Sequence, residues 1–267
     1  MGVNPKAQKR KGKGRPDGGQ FAPETHETTP NDLDEAPFGQ GSGAPSLAEL
    51  AQQEPDLNGR QVVDALMTEP VGSKRREQAK QLYIESINRN LIDEDQKREF
   101  GYSEDFSYGE IGWTNRILPH TLDYSDFSTQ YCAAGENYTG QDVIGTNFTE
   151  FKQADAALAQ HLLDTVPDKN LKNERQNEAP TVGNILKFVN KHPSQASFGG
   201  HVVSGERADE RLSVDTVSVS PELLGLDEDA TEDDAREKLH GLKLGETSRP
   251  DETRWDENQN RWNFRWY

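Results

Sequence analysis

A single cysteine, Cys132, stands among 267 residues. One thiol excludes an internal disulfide framework and any cysteine-rich zinc module. It sits in Gln130-Tyr131-Cys132-Ala133-Ala134 within an acidic stretch, a setting that opposes thiolate chemistry. Apolar residues are also scarce, at 31% of the chain, and the mean hydropathy is −0.96. An ordinary globular chain is about 45–50% apolar with glycine counted. A core spread evenly over the whole length is therefore excluded, and a smaller folded part with long solvated segments is expected. No apolar run approaches the roughly 18 residues of a membrane span, so we expect no integral membrane protein.

Familiar catalytic and ligand-binding signatures are missing as well. No two of the six histidines have the spacing of an HExxH or HxH zinc motif. There is no GxSxG elbow and no dinucleotide fingerprint. The glycine-rich stretch Gly12 to Gly19 lacks the pattern of a phosphate loop. Two acidic runs invite a calcium reading, and both fail it. The run from Asp227 has Glu232 where the loop needs glycine and Lys238 where it needs glutamate. In the run from Asp256 the same places hold Arg261 and Tyr267. We expect no metal and no cofactor.

What the chain does have is charge, unevenly placed. The net charge is −17. Residues 1–20 hold Lys6, Lys9, Arg10, Lys11, Lys13 and Arg15 against Asp17 alone. That segment is +5, leaving −22 on residues 21–267. A basic tip on an acidic body reads as an arm that touches nucleic acid, or as a solubilising tail. Turn formers interrupt the basic tip where a secretory signal would need 7–15 apolar residues, so a cytoplasmic protein is expected.

The segment Asn4-Pro5, followed by Gly14-Arg15-Pro16-Asp17-Gly18-Gly19-Gln20-Phe21-Ala22-Pro23, resembles an N-terminal tag of many proteins of actinobacterial phages, plasmids and their hosts. The resemblance covers some 20 of 267 residues. That tag precedes unrelated bodies, so it implies a phage or mobile-element neighbourhood rather than a chemistry.

Residues 1–45 are rich in glycine, proline and charge, and we expect them to be disordered, with Phe21 a short linear contact. Residues 46–267 are expected to form one domain, helical over 46–195 and β-rich over 196–267. Short helices are expected at 46–53 and 60–67. Ser73 caps a longer one over 73–91, with Ala79, Tyr83, Ile87 and Leu91 on one stripe. Phe151, Ala154, Leu158 and Leu162 predict a helix over 148–165, capped by Thr146. Val182, Ile185, Leu186 and Val189 predict another between Pro180 and Pro193. Residues 198–203 and 211–220 read as strands. The phase shift from Leu212 and Val214 to Val217 and Val219 predicts a bulge. Thr231 caps a helix to Leu239. Trp255, the polar turn Asp256–Asn260 and the alternating Trp262, Phe264 and Trp266 read as a β-hairpin. The fold class is α+β: a helical middle followed by a small antiparallel β element.

Candidate site residues come from two places. In residues 100–145 polar and aromatic groups mix, and His120, Asp123, Asp126 and Trp113 are the catalytic candidates. His161 reads as a core-edge histidine. At the C-terminal end Trp262 and Trp266 either pack inward or offer an aromatic face to a partner. We expect a non-enzymatic intracellular interaction protein, phage- or mobile-element-associated, whose basic arm contacts nucleic acid and whose body meets a protein partner. One alternative is an acidic mimic of nucleic acid that occupies a basic groove on a DNA-acting protein. The other is an enzyme with its site in residues 100–145.

Overall fold

The serine at position 73 starts the longest described helix as its sequence position requires. In a computed structural model describing residues 55–99, 108–125, 148–227, 229–242, 244–245 and 249–267, the Ser73 side chain accepts from the Arg76 N–H at 3.3 Å. Helix α1 is Pro55–Thr68 and helix α2 is Lys74–Arg89. The four-residue stripe of α2 buries Ala79, Tyr83 and Ile87 completely, as the 3.6-residue period demands. The expected helix over 60–67 lies inside α1. The expected helix over 46–53, and segment 1–45 expected to be disordered, lie outside the described residues.

α1 and α2 are joined by a buried guanidinium. Arg76 is 5% exposed. Its Nη2 donates to the Leu122 carbonyl at 2.5 Å, its Nη1 to the carbonyls of Leu66 and Glu69, and its Nε to Asp123. Asp123 also takes Lys80 Nζ at 2.6 Å. The end of α1 thus gives its unpaired carbonyls to a cation, the charge a helix C-terminus prefers.

Short elements follow: α3 (Glu94–Glu99), a 3₁₀ turn over Trp113–Arg116, and α4 (Leu118–Thr121). The expected helix over 148–165 is corrected. Its first half is strand β1 (Phe148–Ala154), and only Ala156–Thr165 is helix, α5. Asp155, not Thr146, is the cap; its carboxylate accepts from the N–H groups of Ala157 and Leu158 at 2.9 and 3.0 Å. Phe151 and Ala154 are buried in either form. The periodicity alone could not choose, and pairing with a neighbouring strand decides. α6 (Asp168–Asn173) and α7 (Val182–Lys191) complete the helical part. α7 buries Val182, Ile185, Leu186 and Val189 as expected.

Strands β2 (Ala196–Val203) and β3 (Arg211–Val219) are followed by α8 (Pro221–Leu224), α9 (Glu232–Gly241), β4 (Glu252–Asp256) and β5 (Arg261–Arg265). α9 opens with the expected Thr231 cap, reciprocated by Asp234. The sheet is antiparallel throughout, in the order β1-β2-β3-β5-β4. The fold is α+β, and the sheet recruits β1 from the segment expected to be helical. No described helix is long and apolar enough to cross a membrane.

Cross-strand register divides the sheet into two faces. Phe198, Val217, Phe264 and Thr253 stand in one row, and Ala196, Val219, Trp262 and Trp255 in the next. These rows form the apolar face, where α7 packs on β2 and β3. On the opposite and polar face, Ser197, Ser218, Asn263 and Arg254 lie between these two rows, and Gly199, Thr216, Arg265 and Glu252 lie next to the Phe198 row on its other side. The hairpin β4–β5 is as the alternation predicted. Trp262 and Trp266 are 6% and 1% exposed, which corrects the expectation that they offer a partner surface. Their rings are needed in the core, because a sheet with few large apolar residues fills one face with those it has.

Two bulges meet at Gly199-Gly200. On β3 the partners run from Thr216 to Val214, leaving Asp215 as an extra residue. This is the shift that the Val and Leu phases predicted. On β1 they run from Phe151 to Ala154 against Gly200 and Phe198, and Gln153 takes φ 57°. A Cβ on Gly200 would collide with the Ser213 carbonyl oxygen. Only glycine fits there. Gly200→Ala should therefore force the central strands apart and cost about 3 kcal/mol, read as a lower denaturation midpoint in urea. An unchanged midpoint would show that the pinch is not as drawn.

Candidate functional site

The residues singled out by sequence do not assemble into one site. Trp113 is buried in the core. Asp123 is engaged by Lys80 and Arg76. His120, exposed on α4, stacks against His161. None of Trp113, His120 and Asp123 lines either of the two clefts described below. Asp126 lies outside the described residues, as do Lys6, Lys9, Arg10, Lys11, Lys13, Arg15 and Phe21. The pocket expected in residues 100–145 is covered by the described residues only in part.

The polar face of the sheet gathers a different set. The bulge turns Asp215 and Thr216 toward that face, beside Glu150 of β1, His201 of β2 and Arg265 of β5. Glu150, His201 and Asp215 are only 13%, 10% and 14% exposed at their side chains. Arg265 Nη2 lies 3.8 Å from both carboxylates. Lys152 Nζ lies 3.6 Å from Glu150, and His201 Nδ1 lies 3.9 Å from Asp215. These separations exceed hydrogen-bond length. Asp215 has one short partner, the Thr216 hydroxyl at 2.6 Å.

Two clefts open around this cluster and share Glu150, Asp215 and Arg265. The larger, about 260 Å³, runs over Gly199, Thr216 and Ser218 toward Asn263, Arg254 and Gln259. The smaller, about 230 Å³, lies toward Phe148, His201, Trp266 and Tyr267. Small residues make the floor of the first, and long polar side chains make its walls. Its carboxylates are already matched: Glu252 by Arg254 at 2.7 Å, Asp256 by Gln259 Nε2 at 2.7 Å, Glu150 and Asp215 by Lys152 and Arg265. Several polar atoms on this face are buried and have no hydrogen-bond partner: Ser197 Oγ, Ser213 Oγ, Asn263 Oδ1 and Arg265 Nε. An unmet buried donor or acceptor costs about 1–3 kcal/mol, so four on one face are a feature that needs a reason.

Titration follows burial. Desolvation, aided by the cations Arg211, Arg207 and Arg265, takes the His201 pKa from 6.5 to about 4. The ring is neutral at pH 7, and its approach to Asp215 is not an ion pair. Phe148 stacks on it at 4.6 Å. Burial raises the Asp215 carboxyl, and the charge of Glu150 adds to the rise, while Thr216 and Arg265 oppose it. In the β2–β3 connection burial takes Glu206 to about 7. Its neighbour Glu210 is structural: its carboxylate accepts from the N–H groups of Gly112 and Thr114 and from the Thr114 hydroxyl, at 2.8–2.9 Å.

Among the described residues no three His, Cys, Asp or Glu side chains converge as a metal site. No family model, no curated protein and no solved structure matches this chain.

Sequence reasoning missed the polar face because its members come from four strands. The one local signal was the bulge, which gave the position of Asp215 but not its neighbours.

A histidine depressed in the folded state is stabilising only while both states are neutral. Stability is complete above pH 6.5 and falls as the pH drops toward 4, because the unfolded chain takes up a proton that the fold refuses. The loss due to His201 reaches about 3 kcal/mol near pH 4. Glu206 acts oppositely, stability falling as the pH rises from 4.5 through 7. His201→Gln should flatten the acid slope, and Glu206→Gln should raise stability at pH 8, both measured by urea unfolding across pH. A His201→Gln profile parallel to that of the parent would contradict the assignment.

Proposed function

We propose that the protein is a non-enzymatic interaction protein whose binding surface is the polar face of its sheet. The observation that carries this reading is the set of buried, unpartnered polar atoms on that face, of which Asn263 Oδ1 and Arg265 Nε belong to residues that line the open cleft. Such atoms are tolerated where a partner supplies the missing bonds. Because three of the cleft's four carboxylates, Glu150, Asp215 and Glu252, already have a cation beside them, the partner meets it mainly through neutral hydrogen-bonding groups. The alternative of a nucleic-acid mimic gains nothing from this face, where acids alternate with Lys152, Arg254 and Arg265. The alternative of an enzyme in residues 100–145 gains nothing from Trp113 and Asp123, which are engaged in packing and ion pairs.

The basic stretch from Lys6 to Arg15 supports a second contact, with nucleic acid, through release of counterions. The tag resemblance supports a phage or mobile-element setting inside the cell.

If the unpartnered atoms belong to a binding surface, they weaken the unbound fold. Ser197→Ala and Ser213→Ala should then each raise stability, by about 1 kcal/mol, in denaturant titrations of the full chain. A loss of similar size would mean that these hydroxyls are bonded, and would remove the carrying observation. For the arm, the full chain should bind labelled DNA with an affinity that falls steeply with salt. Replacing its six Lys and Arg residues by Gln should abolish that binding. Equal binding by both forms would sink the arm's role.

A further inference from the structure

We propose that the connection between β2 and β3 is a proton-controlled latch, which holds the end of α2 and the 3₁₀ turn while Glu206 carries a proton and loosens when Glu206 ionises. The contact it closes is tight. The Ile92 N–H, just beyond α2, donates to the Gly205 carbonyl at 3.2 Å. A Cβ on Gly205 would lie 2.6 Å from a Leu91 methyl group and 2.7 Å from the Gly112 nitrogen. Only glycine lets the connection lie this close. Further along, Glu210 fastens the same connection to Gly112 and Thr114.

Between these two fastenings stands a carboxyl group that has none. Both oxygens of Glu206 are buried and have no hydrogen-bond partner. The Asn90 side chain, at the end of α2, lies close enough to favour the ionised form in part, but it completes no hydrogen bond. A buried carboxylate without partners is costly, and the protonated form is far less so. The two acids of one connection therefore act in opposite senses. Glu210 has donors that suit a charged carboxylate, whereas Glu206 is accommodated only as the neutral acid.

Other charges do not govern this group. Within the connection Arg207 is tied to Asp209 at 2.7 and 2.8 Å. Lys97 of α3 is buried and acts on Glu210. Arg89, Asp93 and Glu94 flank residues 90–92, and Glu110 and Arg116 flank the 3₁₀ turn. None of them bears on Glu206, whose carboxyl is raised by burial from 4.5 to about 7. A group whose pKa is higher in the closed form favours closure at low pH. Closure is strongest below pH 4.5, weakens between 4.5 and 7, and is constant above that range. With an ordinary carboxyl in the open form, the closed-to-open ratio should fall about twentyfold from pH 5.5 to 7.5. Arg207 in the connection and Arg211 at the start of β3 act by charge on His201 of the smaller cleft. Opening of the latch is felt there, whatever that cleft binds.

The test is amide hydrogen exchange in the full chain at pH 5.5 and 7.5, corrected for the intrinsic pH dependence of exchange. Ile92, Gly112 and Thr114 should be less protected than the amides of β2 and β3 at both pH values. Their protection should fall about twentyfold at the higher pH. In Glu206→Gln, neutral throughout, it should be the same at both. In the parent, the Glu206 carboxyl carbon and the Ile92 and Gly112 amides should titrate together with a midpoint near 7. The proposal is overturned if these amides exchange together with the sheet, if Glu206→Gln keeps the fall, or if the Glu206 carboxyl titrates near 4.5.

Discussion

The structure turns on a pinch in strand β2. Gly199 and Gly200 lie between two bulges, one carrying Asp215 and the other Gln153. A strand has a side-chain period of two, so one extra residue would normally send every later side chain to the wrong face. Here the extra residue falls between two apolar halves of β3 whose own phases differ by one. Leu212 and Val214 on one side, and Val217 and Val219 on the other, are all buried. The backbone can buckle only because β2 has no Cβ at the pinch. The residues that the buckle displaces, Lys152, Gln153, Asp215 and Thr216, are those that line the larger cleft. The buckle therefore shapes the surface site while both apolar halves of β3 stay buried.

Much of this was legible in the sequence, for reasons that can be named. Ser73 and Thr231 cap helices through short-range hydrogen bonds, which depend on neighbours three residues away. The stripe of α2, the α7 helix between its prolines and the alternation of Trp262 with Phe264 are periodic, and period survives without tertiary knowledge. The phase break in β3 revealed its bulge. The helix assigned to 148–165 failed because Phe151 and Ala154 sit on an apolar face as either helix or strand. Only the ladder to β2, some fifty residues on, separates the two.

The site was less legible than the fold. Its members are single residues from β1, β2, β3 and β5, and none belongs to a motif. His120 and His161 show the same difficulty, since forty residues separate two rings that touch. Conversely, the aromatic residues that attract attention in the sequence, Trp113, Trp262 and Trp266, are consumed by a core short of large side chains. In a chain with so few apolar residues, an aromatic is first a packing unit. Its functional groups are sought among the polar residues that packing leaves uncovered.

The central claim is that the bulge serves the polar face rather than the core. Deleting Asp215 tests it directly, because the deletion leaves Leu212, Val214, Val217 and Val219 in simple alternation. The measurement is a map of cross-strand contacts in the deletion variant by nuclear magnetic resonance. The account predicts that Val202 still faces Leu212 and Val217 still faces Phe264, while the environments of His201 and Arg265 change. Loss of the Val202–Leu212 pairing, or an unfolded chain, would contradict it.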